Sequence, residues 1–304
     1  MDLLANFQAA DIAATSAPNE RQKSLFVEKF NALWQLRVFA ARQLWFSEMT
    51  AISGRLISLV EDTKEAALTG VKLDLQREKN MIELENGLVS QTQGIKNMKK
   101  LYAEILRGID EGSLDADPQR KQFLAYETAN HVLFFLNMSQ NCKEATTWAP
   151  IAFEDLHRRF NIDDTPPEKL MSTWVASASC AGTDIPFEML ARIRKSVTAR
   201  LAKAREHNDM VAAEDALRGF IALSGYHYLH GEIEKAQMDI KLVIKESAIE
   251  SNERDEAKYL NACTPILGRC VSLGDIADGV PFDPSRYEII NKVPSYEWYE
   301  VGNQ

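Results

Sequence analysis

The chain has 304 residues, 44 of them acidic and 35 basic, for a formal net charge of −9; 45% of it is apolar, with 14 glycines and 10 prolines. That composition excludes collagen-like, low-complexity and disordered classes, and the length suffices for one large domain or two smaller ones. Sparse glycine and proline disfavour a turn-rich all-β fold.

The first element is read from positions 27, 30, 34, 38, 41, 45, 49, 52, 56 and 59. These are Val, Phe, Trp, Val, Ala, Trp, Met, Ile, Leu and Leu, all apolar at spacings of three and four. Such spacing predicts one face of one helix, from about Pro18-Asn19 to Glu61-Asp62. Leu33, Leu36, Phe39, Leu44 and Phe46 add a second apolar face, so this helix needs neighbours on more than one side. The next segment, from Thr63 to Gly112, carries a heptad seam over positions 81–109. A change of phase at Gly70 predicts a kink or break between Thr69 and Asn80. Gly87, Gly94 and Gly108 share a strip that a closely packed neighbouring helix would use. The seam is filled within the chain or by a second copy, so an oligomer is possible through it.

After Gly112 the units shorten. Asp117-Pro118 opens a helix to about Asn141, and Pro150 to Phe160 forms a short one. Thr165-Pro166-Pro167-Glu168 reads as a capping box for a helix to Ser179. Asp184-Ile185-Pro186 starts a helix ending near His207, and Asn208-Asp209 caps another to Gly231. Helices over Glu232–Ser251 and Glu253–Leu273 follow. From Ala277 the chain turns extended and aromatic. The expected fold is all-α: long antiparallel, coiled-coil-like helices, then short repeat-like hairpins, then an extended C-terminal tail. The expected divisions are 1–115, 116–276 and 277–304.

Phe220, Leu223, Ser224, Gly231, Ile233, Ala236, Ile240 and Val243 sit at the spacings of a tetratricopeptide repeat, which the region 210–276 resembles. The usual inner tyrosine is His227 here. A second unit phased on Gly274 places Ile266, Leu267 and Ile276 at matching sites, with Gly279 where alanine is expected. Its offset is 43 residues, against about 34 in the family. The resemblance implies a protein-binding concave surface without catalysis.

Motifs with a mechanism are missing. The sequence holds no GxxxxGK[ST], GxGxxG, GxSxG or HExxH, and no cofactor is expected. The metal candidates are Glu154 and His157, an ExxH pair on one helix face, with Glu127 and His131 an i, i+4 pair on another. His227, His230 and Glu234 form a third small group. With 44 acidic residues and five histidines, such pairs arise readily by chance.

Charge is uneven. Residues 192–205 carry Arg192, Arg194, Lys195, Arg200, Lys203 and Arg205 and no acid, whereas residues 206–304 hold 18 acids and nine bases. Arg192, Arg194, Arg200, Lys203 and Arg205 are therefore candidate partner-binding residues, fitted to a protein with an acidic surface or to the chain's own acidic third. Tyr296, Trp298 and Tyr299 of the tail are further candidates: docked, the tail is a strap; released, it is a partner-binding peptide. The acidic balance disfavours nucleic acid.

The opening Met1-Asp2-Leu3-Leu4 has no basic n-region of a secretory signal. Arg37, Arg42, Glu48 and Arg55 interrupt the most apolar stretch, so no spanning helix is expected. Cys142, Cys180, Cys263 and Cys270 form no CxxC and read as buried free thiols. A cytoplasmic location follows as the expectation, with non-classical secretion left open. The leading functional expectation is a non-enzymatic adaptor, chaperone or assembly subunit. The alternatives are a membrane-active helical toxin-type protein and an all-α metal-dependent enzyme.

Overall fold

The continuous apolar face of Val27–Leu59 belongs to two helices. In a computed structural model, which describes residues 19–63, 68–114, 116–139, 141–160, 168–248 and 263–289, α1 (Asn19–Arg42) and α2 (Phe46–Thr63) are separated by a turn at Leu44. Leu44 has φ +56°, a left-handed backbone unusual for a branched side chain. The single helix expected there is thus corrected to a hairpin. Leu33 packs with Leu56 and Ile57, and Ala40 with Met49; α1 thus turns the neighbouring face of Leu33 and Ala40 to α2, and Val27, Trp34 and Trp45 of the stripe are left exposed.

The 63–112 segment also folds back. α3 (Thr69–Glu85) and α4 (Gln91–Asp110) are joined by a turn in which Gly87 has φ +65° and Ser90 caps α4 by accepting from the Gln93 N–H at 3.3 Å. The break cuts the heptad seam after its second position, Leu84, and leaves Leu88 and Gln91 exposed. No single coiled-coil strip spans 81–109. Of the three glycines expected to share a strip, only Gly94 meets another helix: Gly87 lies in the turn, Gly108 faces Leu114, and a Cβ on Gly94 would run into Leu84 of the preceding helix.

Helix accounts for about 81% of the described residues, as the all-α reading expects. The chain divides into two compact units, residues 1–131 and 132–304. In the first, α1 to α4 run alternately up and down. Leu75 joins the Leu33–Leu56 cluster and Ile82 the Ala40–Met49 cluster. Polar ties cross the seams: Arg37 reaches Glu78 at 2.5 Å and Ser53 at 3.1 Å. Asp74 accepts from Arg77 at 2.8 Å and from Arg120, which lies at the start of α5 (Pro118–Met138). Asp117 caps that helix through the Arg120 N–H at 2.9 Å.

The second unit gathers around α9 (Met210–Leu229), which meets α7 (Glu168–Ala181), α8 (Phe187–His207), α10 (Ile233–Ala248) and a β-strand. α9 is apolar on almost every face, as a helix surrounded by others must be. Gly219 and Gly225 admit close neighbours: added Cβ atoms would meet Val197 at 2.8 Å and Thr264 at 3.0 Å. α6 (Cys142–Phe160) begins earlier than expected and carries Pro150 in its interior. The Thr165–Pro167 capping residues lie outside the described residues; their helix, α7, begins at Glu168.

The helix expected over Glu253–Leu273 is corrected in its second half. Cys263–Ile266 (β1) and Arg269–Ser272 (β2) form an antiparallel hairpin, followed by the short α11 (Leu273–Ala277). The thiol reading is corrected as well. Cys142 pairs with Cys180 and Cys263 with Cys270, at Cα separations of 5.9 and 5.3 Å, both within disulfide range. The first bridge joins the start of α6 to the end of α7; the second spans the hairpin. No described helix is long and apolar enough to cross a membrane.

Candidate functional site

Three features of the described residues are candidates. The first is a polar network on α8, α9 and α10. Arg194 Nη2 donates to Asp239 Oδ2 at 2.6 Å, and the same nitrogen lies 3.3 Å from His227 Nε2. His227 Nδ1 meets a Glu232 carboxylate oxygen, and Glu232 is also held by Lys235 at 2.6 Å. Burial pushes His227 down from its usual range, so the ring is neutral at pH 7. Nε2 then accepts from Arg194 and Nδ1 donates to Glu232. Burial raises the Asp239 carboxyl, and Arg194 opposes that rise. Lys235 chiefly holds Glu232 low. Both imidazole nitrogens are engaged, and the nearby Ser224 hydroxyl donates to the Ala236 carbonyl at 3.0 Å. Chemically this is a clamp across three helices.

The second feature is a groove of about 360 Å³ within the second unit. Its floor is the Cys142–Cys180 bridge, and Lys143, Pro265, Leu267, Arg269 and Ile289 line it. The hairpin tip forms one wall. Leu267 donates its N–H to the Ser179 carbonyl at 3.0 Å, which seats the tip on the end of α7. The ammonium of Lys143 is exposed, and Arg269 Nη1 donates to the Tyr287 carbonyl at 2.6 Å.

The third feature is the α1–α2 turn in the first unit. Leu44 is 69% exposed, Phe39 51% and Trp45 49%. The Phe39 and Trp45 rings meet edge to face at 5.7 Å. Arg42 and Gln43, also exposed, lie beside them.

The structure distributes the expected site residues differently. All five basic candidates lie on α8, but Arg194 is committed to Asp239, and Arg205 pairs with the buried Glu246. Arg192 places its guanidinium 5.3 Å from the Phe153 ring centre. Lys203 is exposed and Arg200 half-buried. Tyr296, Trp298 and Tyr299 lie outside the described residues. Glu127 and His131 belong to the first unit, and Glu154 and His157 to the second. His157 stacks on Phe153 at 6.2 Å. His230 bonds Asp184 at 2.9 Å and the Tyr226 carbonyl at 2.8 Å. Among the described residues, no three His, Cys, Asp or Glu side chains are grouped to hold a metal ion.

The repeat-like residues map onto one hairpin, α9–α10, which turns at Gly231 (φ +73°). Phe220, Leu223, Ser224, Ala236, Ile240 and Val243 are buried there. The half-unit phased on Gly274 has no helical counterpart, because Ile266 ends β1 and Leu267 occupies the turn. No protein family, curated protein or solved structure matches the chain.

Sequence reasoning missed Asp239, Lys143, Arg269 and the protruding turn. Asp239 was legible, since it stands beside Ile240 on the stripe of Ala236 and Val243. Lys143 and Arg269 carry no local signal, because the hairpin fold brings them to one groove.

Proposed function

We propose that the chain is a non-enzymatic helical interaction protein, an adaptor, chaperone or assembly subunit, that docks a protein partner on the α1–α2 turn. The observation that carries this reading is the exposed Phe39–Leu44–Trp45 tip. Fully burying a large apolar side chain is worth about 1.5–3 kcal/mol, and aromatic anchors dominate protein interfaces. A left-handed Leu44 raised into solvent gives up that gain until something covers it. Lys203 and Arg200 supply a secondary cationic contact on α8 for an acidic partner.

A lipid surface is the second reading, since Trp, Phe and Leu beside Arg42 also suit a membrane interface. A photoreactive residue placed at position 44 separates the two in native lysate. Saturable cross-linking to one protein, weakened about 30-fold by Trp45→Ala, supports the adaptor reading. Cross-linking to lipid alone, with no protein adduct, overturns it.

A cytoplasmic location remains part of the proposal, and the two disulfides weigh against it, because such bridges are rare in a reducing cytosol. Thiol labelling of protein taken rapidly from its native cells decides the point. Four reactive thiols after denaturation favour the cytoplasm; none favours an oxidising compartment.

A further inference from the structure

The segment 287–289 runs along the outer edge of β2. Arg269 and Ile289 form an antiparallel bridge, and the Cys270 N–H donates to the Glu288 carbonyl at 3.2 Å. The Arg269 guanidinium grips the Tyr287 carbonyl in the same place. Ile289, where the described residues end, itself lines the groove with Gly268 and Leu267.

The groove and the sequence that follows are complementary. Its walls are Leu267, Pro265 and Ile289, and its charged groups are Lys143 and Arg269. The 290–304 segment reads INKVPSYEWYEVGNQ, with Tyr296, Trp298 and Tyr299 interleaved with Glu297 and Glu300. Aromatic rings match the apolar walls, and the two carboxylates match the two cations. Reach is ample: Tyr296 stands seven positions beyond Ile289, and at 3.3–3.6 Å per step that spans up to about 24 Å. The groove's volume of about 360 Å³ falls in the range of sites that take small organic groups.

We propose that Tyr296–Glu300 docks in this groove, with Glu297 and Glu300 against Lys143 and Arg269. The tail then straps the hairpin to the ends of α6 and α7. The same aromatic residues become available to a partner only when the tail leaves. The proposal is independent of the docking turn on α1–α2.

Hydrogen exchange on the full chain tests it, with the unmodified protein and a variant at Lys143, whose exposed ammonium pairs with no described residue. The amides of 296–300 are expected to exchange at least about tenfold more slowly than in a free peptide. Lys143→Glu is expected to remove most of that protection while α6 and α7 exchange as before. Adding Glu297→Lys or Glu300→Lys singly to Lys143→Glu is expected to restore it in one of the two, the other carboxylate staying on Arg269. Free-peptide exchange of 296–300 in the unmodified protein overturns the proposal. So does protection indifferent to Lys143→Glu, or a loss that neither reversed charge rescues. Native mass spectrometry finding a small anionic amphiphile bound while the tail exchanges freely overturns it in favour of a ligand site.

Discussion

The two compact units solve the burial problem in different ways. In residues 1–131 each helix packs on its neighbours in sequence, α1 on α2, α2 on α3 and α3 on α4. Leu33, Leu56 and Leu75 line one layer and Ala40, Met49 and Ile82 the next. In residues 132–304 a single buried helix, α9, meets its chain neighbours α8 and α10 and, from further along the chain, α7 and β1. All four cysteines and the buried Arg194–Asp239 pair lie there. Closing large loops costs more entropy than closing hairpins. The second unit has the covalent and ionic ties that such a topology calls for; the first does without cysteine altogether.

The largest expected difference is redox. In the chain-entropy description, a bridge across 38 residues contributes about 4 kcal/mol and one across seven about 2 kcal/mol. Reduction should destabilise residues 132–304 by several kcal/mol and leave 1–131 unchanged, as read by exchange rates before and after treatment with a thiol reductant. Equal protection in both units after reduction would break the contrast.

Next comes the ion pair. Arg194→Ala strands the buried Asp239 carboxylate, and breaking a buried pair costs about 3–5 kcal/mol. Arg194 is partly exposed, so the lower end is expected in urea titrations. Proton uptake by Asp239, whose pKa burial already raises, should recover part of the loss at low pH.

Two glycine substitutions sharpen the account of the first unit. Gly94→Ala drives a methyl into Leu84 and should cost about 1–3 kcal/mol, the range for overpacking. Gly54→Ala, on α2 with nothing within 4 Å of its added carbon, should gain up to about 1 kcal/mol from helix propensity. Thermal denaturation of both variants must move in opposite directions for the described packing to hold.

The smallest effect is pH. Burial holds His227 below its unfolded value of 6.5, so the unfolded chain takes up its proton first as pH falls. The contribution is absent above about pH 6.5 and becomes destabilising below it. The second unit should lose stability on acidification through that window, and His227→Gln should flatten the slope there. An unchanged slope would remove His227 from the network's energetics.

Much of the fold was legible in local chemistry. Asp117 and Asp209 announced helix starts and do cap them, and Gly231 marked a helix end. The breaks at Leu44 and Asn86–Ser90 were not read. A hairpin whose two arms share one core keeps the three–four spacing across its turn, so periodicity alone cannot tell a long helix from a folded one. Asn86-Gly87 did carry a turn signal; Leu44 carried none.

Sequence alone determined the class of the protein, because helical period, caps and scarce turn residues are local properties. It also determined the candidate charges, but not their roles. Whether Arg194 and Arg205 face a partner or the chain's own Asp239 and Glu246 was decided by how α8 packs on the rest of its unit. The cysteine pairing and the groove at Lys143 and Arg269 arose in the same way. Apart from the Cys263–Cys270 bridge, which closes within one hairpin, those features require residues tens to more than a hundred positions apart to meet, and only the closing of the tertiary fold brings them together.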